Sequence, residues 1–138
     1  MKMTLVDTGP LVAFFSEADA HHGWATEQFR QLRRPLLTSE AVLAEAAHHV
    51  HKAGGDAALL LDWVSHGVLK VALNLAEEST AIAALMRRYA DQPMDLADAC
   101  LVRLSEQIDD CQVFTVDGDF KVYRRHGRRE IPLLAPWV

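Results

Sequence analysis

Cysteine is scarce in this 138-residue chain: there are two, Cys100 and Cys111, and their spacing matches no metal-ligand pattern. That excludes a disulfide scaffold and a zinc ribbon, and leaves two buried free thiols in a reducing compartment. Long apolar runs are missing too, and no segment approaches the roughly 18 residues of a membrane span. Lys2, an apolar stretch and Ala18-Asp19-Ala20 imitate a signal peptide, but Asp7 and Pro10 interrupt the stretch too early for that role. The chain reads as soluble and cytoplasmic, with no membrane partner. An excess of positive charge is also lacking: the net charge is −5, so the bulk field announces no nucleic-acid binder. Repeats, low-complexity tracts and linkers are absent. The length suits one domain over residues 1–138, large enough to bury a core without staples.

What is present alternates between two periods. Met3 to Val6 reads as a short buried strand, and Thr8-Gly9-Pro10 turns it into a helix, Pro10 suiting the first turn. His21 to about Leu32 reads as helix, with Trp24, Phe29 and Leu32 inward. Pro35 to Ser39 is a strand-to-helix junction, Ser39 capping a helix through His51 that Gly54-Gly55 ends. Ala57 to Ser65 predicts a helix, Val68 to Leu73 a strand, and Ile82, Leu85, Met86 and Tyr89 an amphipathic helix. Asp95 caps a helix over Leu96 to Glu106. Gln112 to Val116 predicts a buried strand and Ile131 to Leu134 an edge strand. Strands alternating with helices imply a parallel sheet covered on both faces.

Against this background the carboxylates stand out. Asp7 sits at the centre of an apolar segment, at the carboxyl end of the first strand, where open α/β sheets place their ligands. A carboxylate there must be neutralised, exposed at an edge, or paired with a cation. Asp117 follows the Gln112–Val116 strand. Glu45 borders the apolar face made by Val42, Leu43, Ala46, Ala47 and Val50. Asp98 lies beside the stripe of Leu96, Cys100, Leu101 and Leu104, in a first helical turn that favours negative charge. In a parallel sheet, strand ends and following helix starts gather at one edge, so these acids can converge. Carboxylates packed together repel unless a cation or proton intervenes. Hard oxygen donors suit Mg²⁺ or Mn²⁺, which can polarise a phosphodiester and position a water for in-line attack.

Each acid also has a structural explanation. Asp7 can cap the Pro10 helix, Glu45 can be a solvated charge, and Asp98 can be a dipole partner beside the cap Asp95. Asp117 and Asp119 flank Gly118 as in a plain turn. Their joint placement is what shifts the balance.

The segments Leu5-Val-Asp-Thr-Gly-Pro-Leu-Val-Ala13, Val42-Leu-Ala-Glu45, Met94-Asp-Leu-Ala-Asp-Ala99 and Thr115-Val-Asp-Gly-Asp-Phe120 resemble, in order and across nearly the whole chain, the motifs of PIN-domain ribonucleases of the VapC-like branch, toxins of toxin–antitoxin pairs. The resemblance implies a three-layer α/β/α sandwich with a central parallel sheet. It further implies Mg²⁺-dependent endonucleolytic hydrolysis of single-stranded RNA, leaving 5′-phosphate and 3′-hydroxyl ends. Asp7, Glu45, Asp98 and Asp117 would form the acidic pocket, with Asp7, Asp98 and Asp117 as Mg²⁺ (or Mn²⁺) ligands. Thr8 and Thr115 would hydrogen-bond neighbouring carboxylates. A cognate antitoxin and a homodimer are the partners implied. Asp95 and Asp119 compete with Asp98 and Asp117 for the ligand role.

Other features are secondary. Lys121, Arg124, Arg125, Arg128 and Arg129 crowd one stretch and are placed either to hold RNA phosphates or to be solvated. His48 and His51 point away from the apolar face of their helix, while His49 lies one turn beyond Glu45 and borders the cleft. Trp24, Trp63 and Trp137 suit packing better than base stacking. An alternative to the nuclease is a non-catalytic, acid-lined module that recruits a basic peptide. A phosphoacceptor signalling domain ranks behind both, because paired acids at the first strand end and a lysine ending the last core strand are absent.

Overall fold

A computed structural model describes residues 1–138. The elements run β1 (Met3–Val6), α1 (Thr8–Phe15), α2 (His22–Gln31), β2 (Leu36–Thr38), α3 (Glu40–Lys52), α4 (Ala58–Ser65), β3 (Leu69–Val71), α5 (Leu75–Arg88), α6 (Leu96–Gln107), β4 (Cys111–Phe114), a 3₁₀ turn (Gly118–Lys121), β5 (Arg124–Arg125), β6 (Arg129–Glu130) and β7 (Leu133–Leu134). Five strands form one parallel sheet in the order β3-β2-β1-β4-β7. β5 and β6 form a separate antiparallel ribbon. The central strands β1 and β4 are buried on both sides, which is why they read as continuous apolar runs.

Alternation along β4 assigns the faces. The ring of Phe114 lies 5.4 Å from Trp24 and 5.0 Å from Phe29, both on α2. Phe14 and Phe15 of α1 pack on Trp63 of α4 at 4.7 Å each. Residues of opposite parity point to the other side of the sheet, where the Cys111 thiol donates to the Ser105 carbonyl of α6. α5 packs along α6, and α3 packs against both α1 and α6. Helices thus cover the sheet on both faces, giving the expected α/β/α sandwich. Trp24 and Trp63 are packing residues, and both cysteines are buried free thiols.

Some local expectations shift. The strand expected over Gln112 to Val116 runs from Cys111 to Phe114, so Asp117 lies beyond it and caps the 3₁₀ turn instead. The strands expected over Val68 to Leu73 and Ile131 to Leu134 shrink to β3 and β7. Leu96 and Met86, both expected inward, are exposed, and Ala97 takes the buried place beside Asp98. α5 begins at Leu75, where the Asn74 side chain accepts from the Glu77 amide. No helix is long and apolar enough to cross a membrane.

Candidate active site

The carboxyl edge of the sheet opens into a cleft of about 560 Å³, lined by Asp7, Glu45, Asp95, Asp98 and Asp117 among others. All four acids singled out from the sequence border it, whereas Asp119 does not. Backbone pairing delivers the first of them: the Asp7 amide donates to the Phe114 carbonyl at 2.9 Å, extending the β1–β4 ladder by one residue. The chain then enters α1, and Asp7 caps it by accepting from the Thr8 amide at 2.8 Å. Its other oxygen accepts from Thr115 Oγ1 at 2.7 Å. Thr115 Oγ1 in turn accepts from the Asp117 amide at 2.9 Å, so one buried hydroxyl ties two of the acids together. Cap and cleft residue, posed as alternatives for Asp7 in the sequence, are the same residue here.

Gly9 sets how closely these two segments approach. A Cβ at Gly9 would fall inside the van der Waals envelope of Val116 Cγ2, so only glycine lets the start of α1 pass against the Thr115–Asp117 turn.

Asp98 arrives from the opposite side, in the first turn of α6. The Asp95 side chain accepts from the Asp98 amide at 2.9 Å, leaving Asp95 the cap and turning Asp98 inward. Only 6% of Asp98 remains exposed, and its carboxylate accepts from Tyr123 Oη at 3.0 Å. Tyr123 is wholly buried. Nothing in the sequence marks it, since it lies inside the Lys121–Arg129 basic stretch with no spacing that links it to Asp98. Glu45 is half-buried on α3, whose packing between α1 and α6 carries it to the cleft wall. Asp117 caps the 3₁₀ turn by accepting from the Asp119 amide at 2.9 Å, and the Asp119 carboxyl, raised by burial and by Asp117, lies outside the cleft lining.

Electrostatically the site is unbalanced. Burial pushes the Asp7 carboxyl up to about 7, with the charges of Asp117 and Glu45 adding and the hydrogen bonds from Thr115 and Thr8 opposing. Burial pushes Asp98 up to about 8, Asp95 and Asp7 adding and Tyr123 opposing. Glu45 is raised by burial and by Asp95, against the Thr8 hydroxyl and His49. The Tyr123 hydroxyl is raised by burial and by Asp98, so it stays a donor. Thr8 Oγ1 is buried near Glu45 but makes no hydrogen bond. No three of these side chains stand close enough to form a ready-made metal cage. The donor set still fits a hard divalent cation: it is all oxygen, two of its acids are too buried to ionise comfortably alone, and one buried hydroxyl is unpartnered.

One expectation is corrected here and a second is met only in part. Arg125, counted among the basic residues placed to hold RNA, is 3% exposed and donates to the carbonyls of Ser105, Ile108 and Asp109, closing the C-terminus of α6. Thr8, expected to hydrogen-bond a carboxylate, lies beside Glu45 and draws its carboxyl down without reaching full hydrogen-bond geometry.

A five-stranded parallel sheet with an acid-lined cleft at its carboxyl edge defines a class of small α/β proteins. The chain belongs to the PIN domain family, with residues 4–125 matching it. It is 30% identical over 124 residues to Ribonuclease VapC26 of Mycobacterium tuberculosis, an alignment that covers 88% of this chain and 87% of that protein. Its fold matches the crystal structure of VapC20 from Mycobacterium tuberculosis, described as a Sarcin-Ricin loop cleaving toxin, with a TM-score of 0.76 at 21% identity over 86% of this chain and 93% of the other. At that identity the second likeness is one of fold.

Proposed function

We propose that this protein is a divalent-metal-dependent endoribonuclease that cleaves single-stranded RNA and serves as the toxin of a toxin–antitoxin pair. The observation that carries the reading is the pair of buried carboxylates, Asp7 and Asp98, on opposite sides of one cleft that Glu45 and Asp117 also line. Kinship with a VapC ribonuclease points the same way. Asp7, Asp98 and Asp117 would hold Mg²⁺ or Mn²⁺, which when bound supplies Lewis acidity to the scissile phosphate.

The chain's own residues account for the rest. Thr115 fixes Asp7 and the start of the Asp117 turn in one arrangement, and Tyr123 fixes Asp98, so the ligands are oriented before substrate arrives. Glu45, more open to water and with its proton affinity raised, is the group placed to take a proton from an attacking water. Hydrolysis then leaves a 5′-phosphate and a 3′-hydroxyl.

The test is direct. Purified protein with Mg²⁺ or Mn²⁺ is expected to cut single-stranded and looped RNAs, a sarcin–ricin loop oligonucleotide among them, and Asp7→Asn to abolish the cut. Cleavage that survives in Asp98→Asn with excess chelator would refute the metal mechanism. If RNA stays intact across metals while a basic peptide binds tightly, the cleft is a recruiting module instead.

A further inference from the structure

The cleft that would receive RNA is lined almost wholly by acids and neutral groups, yet a polyanion must lie in it. A bound cation would serve the scissile phosphate; the neighbouring phosphates need other partners. No arginine lines the cleft, and several of the chain's basic groups are already engaged elsewhere. Arg125 is spent on the carbonyls that end α6, and Arg103 on Glu78 and Glu106. Arg124 turns back on the carbonyls of Lys121, Val122 and Tyr123, and Lys121 lies over the Trp137 ring at 4.5 Å.

Two basic side chains do line the cleft, His49 and Lys52, and both come from α3. With Glu45 they sit at i, i+4 and i+7, one stripe of the helix. The other basic residues of those turns, His48 and His51, fall out of phase and lie outside the cleft. Seven residues of helix rise by about 10 Å, so Lys52 stands one or two phosphates from the carboxylate end of the stripe. Lys52 is exposed and takes no part in the chain's ion pairs, which join Met1 to Asp110, Arg30 to Glu27, and Arg103 to Glu78 and Glu106.

We infer that α3 carries the phosphate track of this site: Lys52 binds a backbone phosphate flanking the scissile one, and His49 donates a ring N–H to the strand between Lys52 and Glu45. The inference rests on the ribonuclease reading and adds to it a direction, with the RNA running along α3 from Glu45 toward the helix C-terminus. Both residues are positioning residues. A purely structural role is also open to Lys52, as a cation at the negative end of the α3 dipole. That role would affect stability and leave the ionic-strength dependence of RNA binding untouched.

The experiment uses the full chain with Asp98→Asn, which blocks cutting, a fluorescent single-stranded RNA oligonucleotide, Mg²⁺, and a series of KCl concentrations. Adding Lys52→Ala is expected to weaken binding by about three- to tenfold at low salt. It should also flatten the slope of log affinity against log salt by about 0.7, the share of one phosphate on a single strand. Lys52→Arg should restore the slope, and the charge-matched control Lys70→Ala, at an exposed position of β3, should leave it alone. An unchanged slope in Lys52→Ala, with the parent still binding, overturns the phosphate track and spares the ribonuclease reading. A parent that binds no RNA at any salt overturns both.

Discussion

Asp98 and Tyr123 show how a single hydroxyl tunes a ligand. The buried Tyr123 Oη donates to an Asp98 carboxyl already lifted to about 8 by burial and by its acidic neighbours, and this hydrogen bond is one of the few influences drawing it back down. Removing it leaves the carboxyl more proton-bound at neutral pH and so a poorer cation ligand. Tyr123→Phe is therefore expected to fold with a loss of about 1 kcal/mol. Its rate–pH profile for RNA cleavage should move to higher pH, recovering activity as the solution becomes more alkaline. A profile that drops uniformly without shifting would show that Tyr123 does not act through Asp98. The pairing could not be read from the chain, because it joins residues 25 positions apart across a tertiary contact that neither segment advertises.

At the scale of elements, one junction shapes the site and a second closes the far end of the helix that carries Asp98. The first is the crossing of α1 over the Thr115–Asp117 turn, where Gly9 has no room for a methyl group against Val116. Gly9→Ala is expected to push Val116 aside, carry Asp117 with it, and cut RNA cleavage by at least tenfold, while circular dichroism remains that of the folded protein. Trimming the obstacle with Gly9→Ala/Val116→Ala should return much of the activity, and no recovery would locate the fault elsewhere. The second junction is the C-terminus of α6, which has no basic residue in its last turn and borrows Arg125 from β5. Arg125→Met leaves the Ile108 and Asp109 carbonyls without this donor and the Ser105 carbonyl with only the weak Cys111 thiol, and thermal unfolding should show a loss of about 3 kcal/mol. A neutral result would return Arg125 to the surface basic group in which its sequence neighbours place it. These elements also show what the chain did and did not disclose. Ser39 as cap of α3, Asp95 as cap of α6 and the buried central strands were legible, because capping chemistry and apolar runs are local. The end of β4 was not: Thr115 and Val116 look like strand, and only the buried link from Thr115 to Asp7 shows why the chain turns there. The fate of Arg125 was hidden for the same reason, since its partners lie 16 to 20 residues upstream.

For the molecule as a whole, the acid cleft sets the pH at which the fold is most secure. Asp7 and Asp98 have carboxyls raised to about 7 and about 8, well above the unfolded value of 3.8. The folded state thus holds protons that the unfolded state releases. The stability these groups contribute is complete below about pH 4 and is lost progressively as pH rises through 7 and 8. Metal-free protein is accordingly expected to melt at a lower temperature at pH 8.5 than at pH 5.5, contrary to a protein whose acids are paired with fixed cations. Asp98→Asn removes one of the two penalties, because an amide keeps an acceptor for Tyr123 and carries no charge. It should raise the melting temperature at both pH values, and by clearly more at pH 8.5 than at pH 5.5, because the penalty grows from about pH 4 up to about pH 8. A divalent cation replaces the protons and reverses the sign: Mn²⁺ at about a hundred times its dissociation constant should add about 2.7 kcal/mol, an effect that is large at pH 8.5 and nearly absent at pH 5.5, where protons compete. Calorimetry across the two pH values, with Mn²⁺ and with chelator, checks both halves. If Mn²⁺ stabilised the protein equally at both pH values, the cation would be bound somewhere other than at Asp7 and Asp98. If metal-free protein were most stable at pH 8.5, those two carboxyls would not be protonated in the fold, and the cleft would hold its charge by other means.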